Sequence, residues 1–65
     1  MLNAIKYELH TYHTDGTENV RQYRLSQAAI NDGRTAMADE GVKGYEVVDL
    51  NTNVCIAYDG KWWIN

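Results

Sequence analysis

Two histidines and one cysteine, His10, His13 and Cys55, are the side chains best suited to metal ligation or nucleophilic attack in this 65-residue chain. A structural or catalytic metal needs at least three convergent ligands held by oriented neighbours. His10 and His13 lie three apart in an alternating segment, and a strand's side-chain period of two points them to opposite faces. They therefore read as two surface histidines near a turn, and no metal is expected. Cys55 as a nucleophile would need a nearby base and an electropositive, accessible setting. It stands in mid-strand, where a small buried hydrophobe fits better. No GxGxxG, phosphate-binding loop or Ser/His/Asp arrangement occurs. The expectation is a protein with no catalytic residues and no cofactor.

A second constellation is Lys6, Arg21 and Arg24 near Tyr7, Tyr12 and Tyr23. Basic residues interleaved with aromatics on a sheet are how several RNA-binding modules stack bases. Here Lys6 and Arg24 fall on the opposite side from Tyr7 and Tyr23, and Glu8 and Glu18 share that side. A net charge of −3 and a pI near 5.1 are also far from the basic footprint such modules carry. A salt-laced outer face is the better reading, and nucleic acid is not an expected partner.

The remaining candidates are aromatic. Trp62 and Trp63 are adjacent, so on a strand they point oppositely: Trp63 joins Ile56, Val48, Leu50 and Val54 in a core, while Trp62 stands with Tyr45, Val47 and Ala57 on the second face. Exposed Trp beside Tyr and Val has the composition of an interface hot spot. Burial of that face by the N-terminal hairpin is the competing reading. In that case the interface moves to the outer face of the hairpin, around His10 and Tyr12. The expected partner-binding residues are thus Trp62, Tyr45 and Val47, with Tyr12 and His10.

The elements that place these residues follow from periodicity and turns. Ala4 to Tyr12 alternates, with Ile5, Tyr7, Leu9 and Thr11 on one side and Lys6, Glu8, His10 and Tyr12 on the other. Thr14-Asp15-Gly16 turns the chain, and Asn19 to Leu25 returns. A two-residue Asp-Gly turn would oppose Leu9 to Gln22 and spoil the apolar face. A three-residue loop with Gly16 left-handed opposes Tyr7 to Tyr23 and Leu9 to Arg21, which keeps it. Ser26 is a good helix N-cap, and the helix runs toward Gly41 with Ala29, Ile30, Gly33, Ala36 and Met37 on one side. Gly33 is its weak point, because a mid-helix glycine costs ~1 kcal/mol relative to alanine.

Tyr45–Leu50, Val54–Tyr58 and Lys61–Ile64 are short apolar runs cut by Asn51-Thr52-Asn53 and by Asp59-Gly60, the pattern of a β-meander. A three-residue loop with Asn53 left-handed opposes Leu50 to Val54, Val48 to Ile56 and Glu46 to Tyr58. Both faces of this meander are apolar, whereas a sheet lying on one core and facing water alternates apolar with polar. The whole reads as one α+β domain spanning residues 1–65: a hairpin, one helix packed on a sheet face, then a meander, in the order ββαβββ.

A domain this short can bury only about 60% of its unfolded surface, and a lone cysteine provides no internal disulfide. Missing burial is expected to come from a second copy. The absence of disulfide staples and of an apolar N-terminal leader points to a reducing cytosol, and no apolar run is long enough to span a membrane. In layout alone, the hairpin, helix and meander in so small a chain resemble accessory proteins encoded by phages and mobile elements. That resemblance implies stoichiometric binding to, and inhibition or modulation of, a host protein. The leading expectation is a non-enzymatic, self-associating protein-binding module, a homodimer. The alternative is a binder of a small, nucleotide-like molecule in an aromatic pocket at a subunit seam.

Overall fold

A computed structural model describes residues 5–60. They form β1 (Tyr7–His13), β2 (Glu18–Tyr23), α1 (Ser26–Ala36), β3 (Val42–Asp49) and β4 (Val54–Gly60). The four strands make one antiparallel sheet in the order β2-β1-β3-β4, with the helix on one face. This is the expected α+β architecture. The further strand expected over Lys61–Ile64 lies outside the described residues, as do Trp62 and Trp63.

The first hairpin folds as its turn chemistry dictates. Gly16 has φ +91°, and the amide N–H of His13 donates to Thr17 O at 2.9 Å while that of Gly16 donates to His13 O at 3.0 Å. The loop is therefore the three-residue one, and Tyr7 faces Tyr23 and Leu9 faces Arg21. Asp15 locks it further, accepting from both the amide and the hydroxyl of Thr17.

The helix differs from expectation at both ends. Ser26 is its first helical residue, Leu25 takes the extended N-cap position, and no side chain caps the N-terminus. The helix ends at Ala36, and its last carbonyls are taken by the tighter bonds of Ala38 to Thr35 and Asp39 to Ala36, short of Gly41. Gly33, expected as a weak point of the helix, is buried where the helix packs closely on the sheet. A Cβ there would lie 2.5 Å from Cδ1 of Tyr45.

That approach decides which sheet face is covered. The core consists of Leu9, Ala29, Tyr45 and Val47, with Tyr7, Tyr23, Ile30, Met37 and Ala57 packed against it. The core face of β3 and β4 is thus the Tyr45/Val47/Ala57 face, and the expected assignment of Val48, Val54 and Ile56 to the core is reversed. Val54 and Ile56 are exposed. The register explains part of this. Glu46 faces Tyr58 and Asn53 is left-handed at φ 59°, both as expected, but Asp49 rather than Leu50 faces Val54. A bulge between Val47 and Val48 absorbs the extra residue at Cys55-Ile56. β4 also continues through Asp59 and Gly60, which pair with Tyr45 and Gly44.

Candidate functional site

Because the helix covers one face, the other is a surface whose residues follow from alternation. Glu8, His10 and Tyr12 come from β1, Glu18, Val20 and Gln22 from β2, Glu46 and Val48 from β3, and Cys55 and Tyr58 from β4. Among the expected partner residues, His10 and Tyr12 stand in the middle of this open face. Tyr45 and Val47 do not belong to a surface at all. They are 4% and 0% exposed, sealed between β3 and the helix. The predicted Tyr45/Val47 docking surface is corrected on that ground: the helix occupies it.

His10 sits between two carboxylates. Its Nδ1 lies 2.5 Å from Glu18 Oε2 and its Nε2 lies 3.2 Å from Glu8 Oε1. Carboxylates only accept, so both ring nitrogens are satisfied together only when both carry protons, in the imidazolium form. Burial alone would lower the His10 pKa, but the hydrogen bonds and charges of Glu18 and Glu8 outweigh it and raise the value above 6.5. Glu8 also accepts from Gln22 Nε2 at 3.4 Å.

Two residues along the same strand, the Tyr12 hydroxyl donates across to Glu46 Oε2 of β3 at 2.8 Å. Burial, then this bond and the Glu46 charge, push the Tyr12 pKa well above the usual phenol range. Cys55 is exposed on this face and not the buried hydrophobe expected, because β4 turns it away from the helix. Partial desolvation and the same Glu46 charge push its thiol up, and its Sγ points at Ala57 O, 3.4 Å away. A protonated thiol facing a carboxylate is the opposite of an activated thiolate. The chemistry of this face is a set of mutually satisfied hydrogen bonds centred on β1, flanked by Val20 on one side and by Val48, Cys55 and Tyr58 on the other. His13 faces the other way, toward a cleft of about 320 Å³ between β2 and the helix that also includes Arg21, Asp32 and Thr35. The expected separation of the two histidines therefore holds. Among the described residues, no three His, Cys, Asp or Glu side chains are grouped to hold a metal.

The His10 contacts predict a pH dependence. A group whose folded pKa is raised contributes stability that is fully present below its unfolded value of 6.5 and is lost as pH rises through the folded value. Denaturant unfolding from about pH 5.5 to 8 should therefore show the fold weakening with rising pH, with the window extending above 6.5. His10→Gln should remove that part of the slope. An unchanged slope in the variant would mean that the histidine gains nothing from Glu8 and Glu18.

Sequence reasoning placed Glu8, His10, Tyr12 and Glu18 together on the outer face of the hairpin, with His10 and Tyr12 as second-choice partner residues, but did not foresee the hydrogen bonds among them. The missed partner was Glu46, whose link to Tyr12 spans 34 positions and depends on β3 lying beside β1. Among the described residues, no helix is long and apolar enough to cross a membrane. Compared with known proteins, the chain matches no family model, no curated protein and no solved structure.

Proposed function

We propose that this protein is a small protein-binding module, acting by association and not by catalysis, that pairs with a second copy of itself through the open face of its sheet. One observation carries the reading: the helix packs on one sheet face only, and the other presents Val20 and Tyr58, 46% and 63% exposed, with Val48 between their strands. His10, Tyr12 and their carboxylate partners are already hydrogen-bonded on that face. The donors of His10 and Tyr12 would therefore not be left unpaired when the face is covered.

The size of the face sets the strength. Four strands ~4.8 Å apart and about seven residues long give a sheet area of roughly 450 Å². That lies at the small, transient end of interface sizes, so a weak pairing is expected, to be sought at micromolar concentrations and above. In the wider role we propose, such a module engages a host protein stoichiometrically and modulates it, as its layout implies.

Sedimentation equilibrium over micromolar concentrations should show a monomer–dimer equilibrium for the wild type. Tyr58→Glu, which puts a charge on an exposed site of the face, should give a monomer that melts like the wild type at low concentration. A wild type that stays monomeric to ~1 mM, or a Tyr58→Glu variant that dimerises equally well, would contradict the reading.

A further inference from the structure

β2 is an outer strand of the sheet, with β1 as its neighbour on one side only. The His13 amide donates to Thr17 O, and hydrogen-bonded positions in an antiparallel pair recur at every second residue. Asn19, Arg21 and Tyr23 therefore turn their N–H and C=O groups toward β1. Glu18, Val20 and Gln22 turn theirs outward, where no main-chain group among the described residues meets them. Such an edge is a template for another strand, and natural sheets guard it with proline, lysine or a bulge. β2 has none of the three.

The side chains state what the added strand must carry. Glu18, Val20 and Gln22 lie on the open side of β2, while Arg21 lies on the helix side and lines the cleft along α1. Arg21 makes no ion pair among the described residues, and Asp32, across the same cleft, accepts from the Tyr23 hydroxyl at 2.6 Å. Directly opposed residues of neighbouring strands share a face. Glu18 and Arg21 are on opposite faces, so no antiparallel pairing of β2 with its own copy sets one against the other. The longest overlap puts Val20 on the twofold axis and opposes Arg21 to Asn19 and Glu18 to Gln22. A slide of two residues opposes Arg21 to its own copy or to Thr17. A foreign strand is free of that symmetry and can meet both charges.

Resting on the protein-binding role proposed above, we infer that β2 takes up an extended segment of the partner protein as an added antiparallel strand. Read from its N-terminal side, the segment carries an acidic residue opposite Arg21 and then an apolar one opposite Val20. Two positions further on it carries a basic residue opposite Glu18. Main-chain bonds to Glu18, Val20 and Gln22 hold the segment, and the opposed side chains select its sequence.

The probe is a capped synthetic peptide whose central residues read Thr-Gln-Glu-Val-Thr-Lys, titrated into the isotope-labelled chain and followed by NMR. The amide protons of Glu18, Val20 and Gln22 should move downfield as they gain hydrogen bonds, while those of Asn19 and Arg21, already bonded to β1, change little. The same peptide with Glu and Lys exchanged should bind at least about tenfold more weakly at low salt. Arg21→Glu should weaken the first peptide by a similar factor, and a peptide with Lys at both charged positions should then bind better than the first. The peptide exchange on the wild type decides the matter even where Arg21→Glu fails to fold. Equal binding of the two peptides by the wild type, or outward amides that do not move at ~1 mM peptide, would overturn the inference. The same downfield shifts on concentrating the chain alone would also overturn it, giving the edge to a second copy. A chain that stays monomeric without peptide yet passes these tests upholds the edge and overturns the paired face. A chain that dimerises but shows neither effect loses the edge and keeps the paired face.

Discussion

Tyr45→Ala should bring this domain close to unfolding. Among the described residues Tyr45 is the bulkiest that is buried, at 4% exposed; the others are Leu9, Thr11, Ala29, Gly33, Val42, Gly44 and Val47. Removing a buried aromatic costs ~3–5 kcal/mol, part transfer free energy and part the cavity left behind. The total stability of so small a domain is of the same order, about 5 kcal/mol. Tyr58→Ala removes the same side chain from an exposed site and should change monomer stability by no more than about 0.5 kcal/mol. Urea unfolding followed by circular dichroism checks the pair, at a concentration low enough that self-association adds nothing. Equal losses in the two variants would mean that the core does not lie under the helix.

Gly33→Ala should destabilise the fold, although helix propensity alone argues the reverse. An alanine in mid-helix is worth ~1 kcal/mol over glycine. The added Cβ, however, would sit 2.5, 2.7 and 2.9 Å from three ring atoms of Tyr45. That ring is held between sheet and helix and cannot swing away without opening the core. Overpacking of this kind costs ~1–3 kcal/mol, which offsets the propensity gain and leaves a net loss. Combining Gly33→Ala with Tyr45→Ala supplies the internal control. With the ring gone the clash disappears, so the double variant should be more stable than the sum of the single losses implies. A stabilised Gly33→Ala protein would show that helix and sheet are farther apart than described.

These two residues also show what the sequence could and could not convey. The first hairpin was legible because alternation puts Tyr7, Leu9 and Thr11 on one face of β1, and only the three-residue loop sets Tyr23 opposite Tyr7 on that face. Gly16 and Asn53 announced their left-handed positions for the same local reason. In β3 and β4 the alternation offers no such choice. Tyr45, Val47 and Ala57 on one side are as apolar as Val48 and Ile56 on the other, so either face could have met the helix. What selects between them is the fit of Tyr45 against Gly33, a contact between elements that no periodicity encodes. A glycine in a helix reads locally as a defect, and its purpose is visible only once the ring opposite is placed. The bulge at Cys55-Ile56 was likewise hidden, since it changes the register of two residues without changing the turn signal. For the open face, the strand pattern grouped His10 with its two carboxylates, yet their spacing alone did not reveal that both ring nitrogens are engaged.

The most direct test of the open face is to watch valine methyl groups by NMR while the wild-type protein is diluted from ~1 mM to ~10 μM, a range that brackets a micromolar dissociation constant. Val20 and Val48 lie on the open face, whereas Val42 and Val47 are buried on the helix side. The account predicts that the Val20 and Val48 methyl resonances move with concentration along one binding curve while those of Val42 and Val47 stay in place. Methyl resonances of Val20 and Val48 that do not respond to dilution would contradict it.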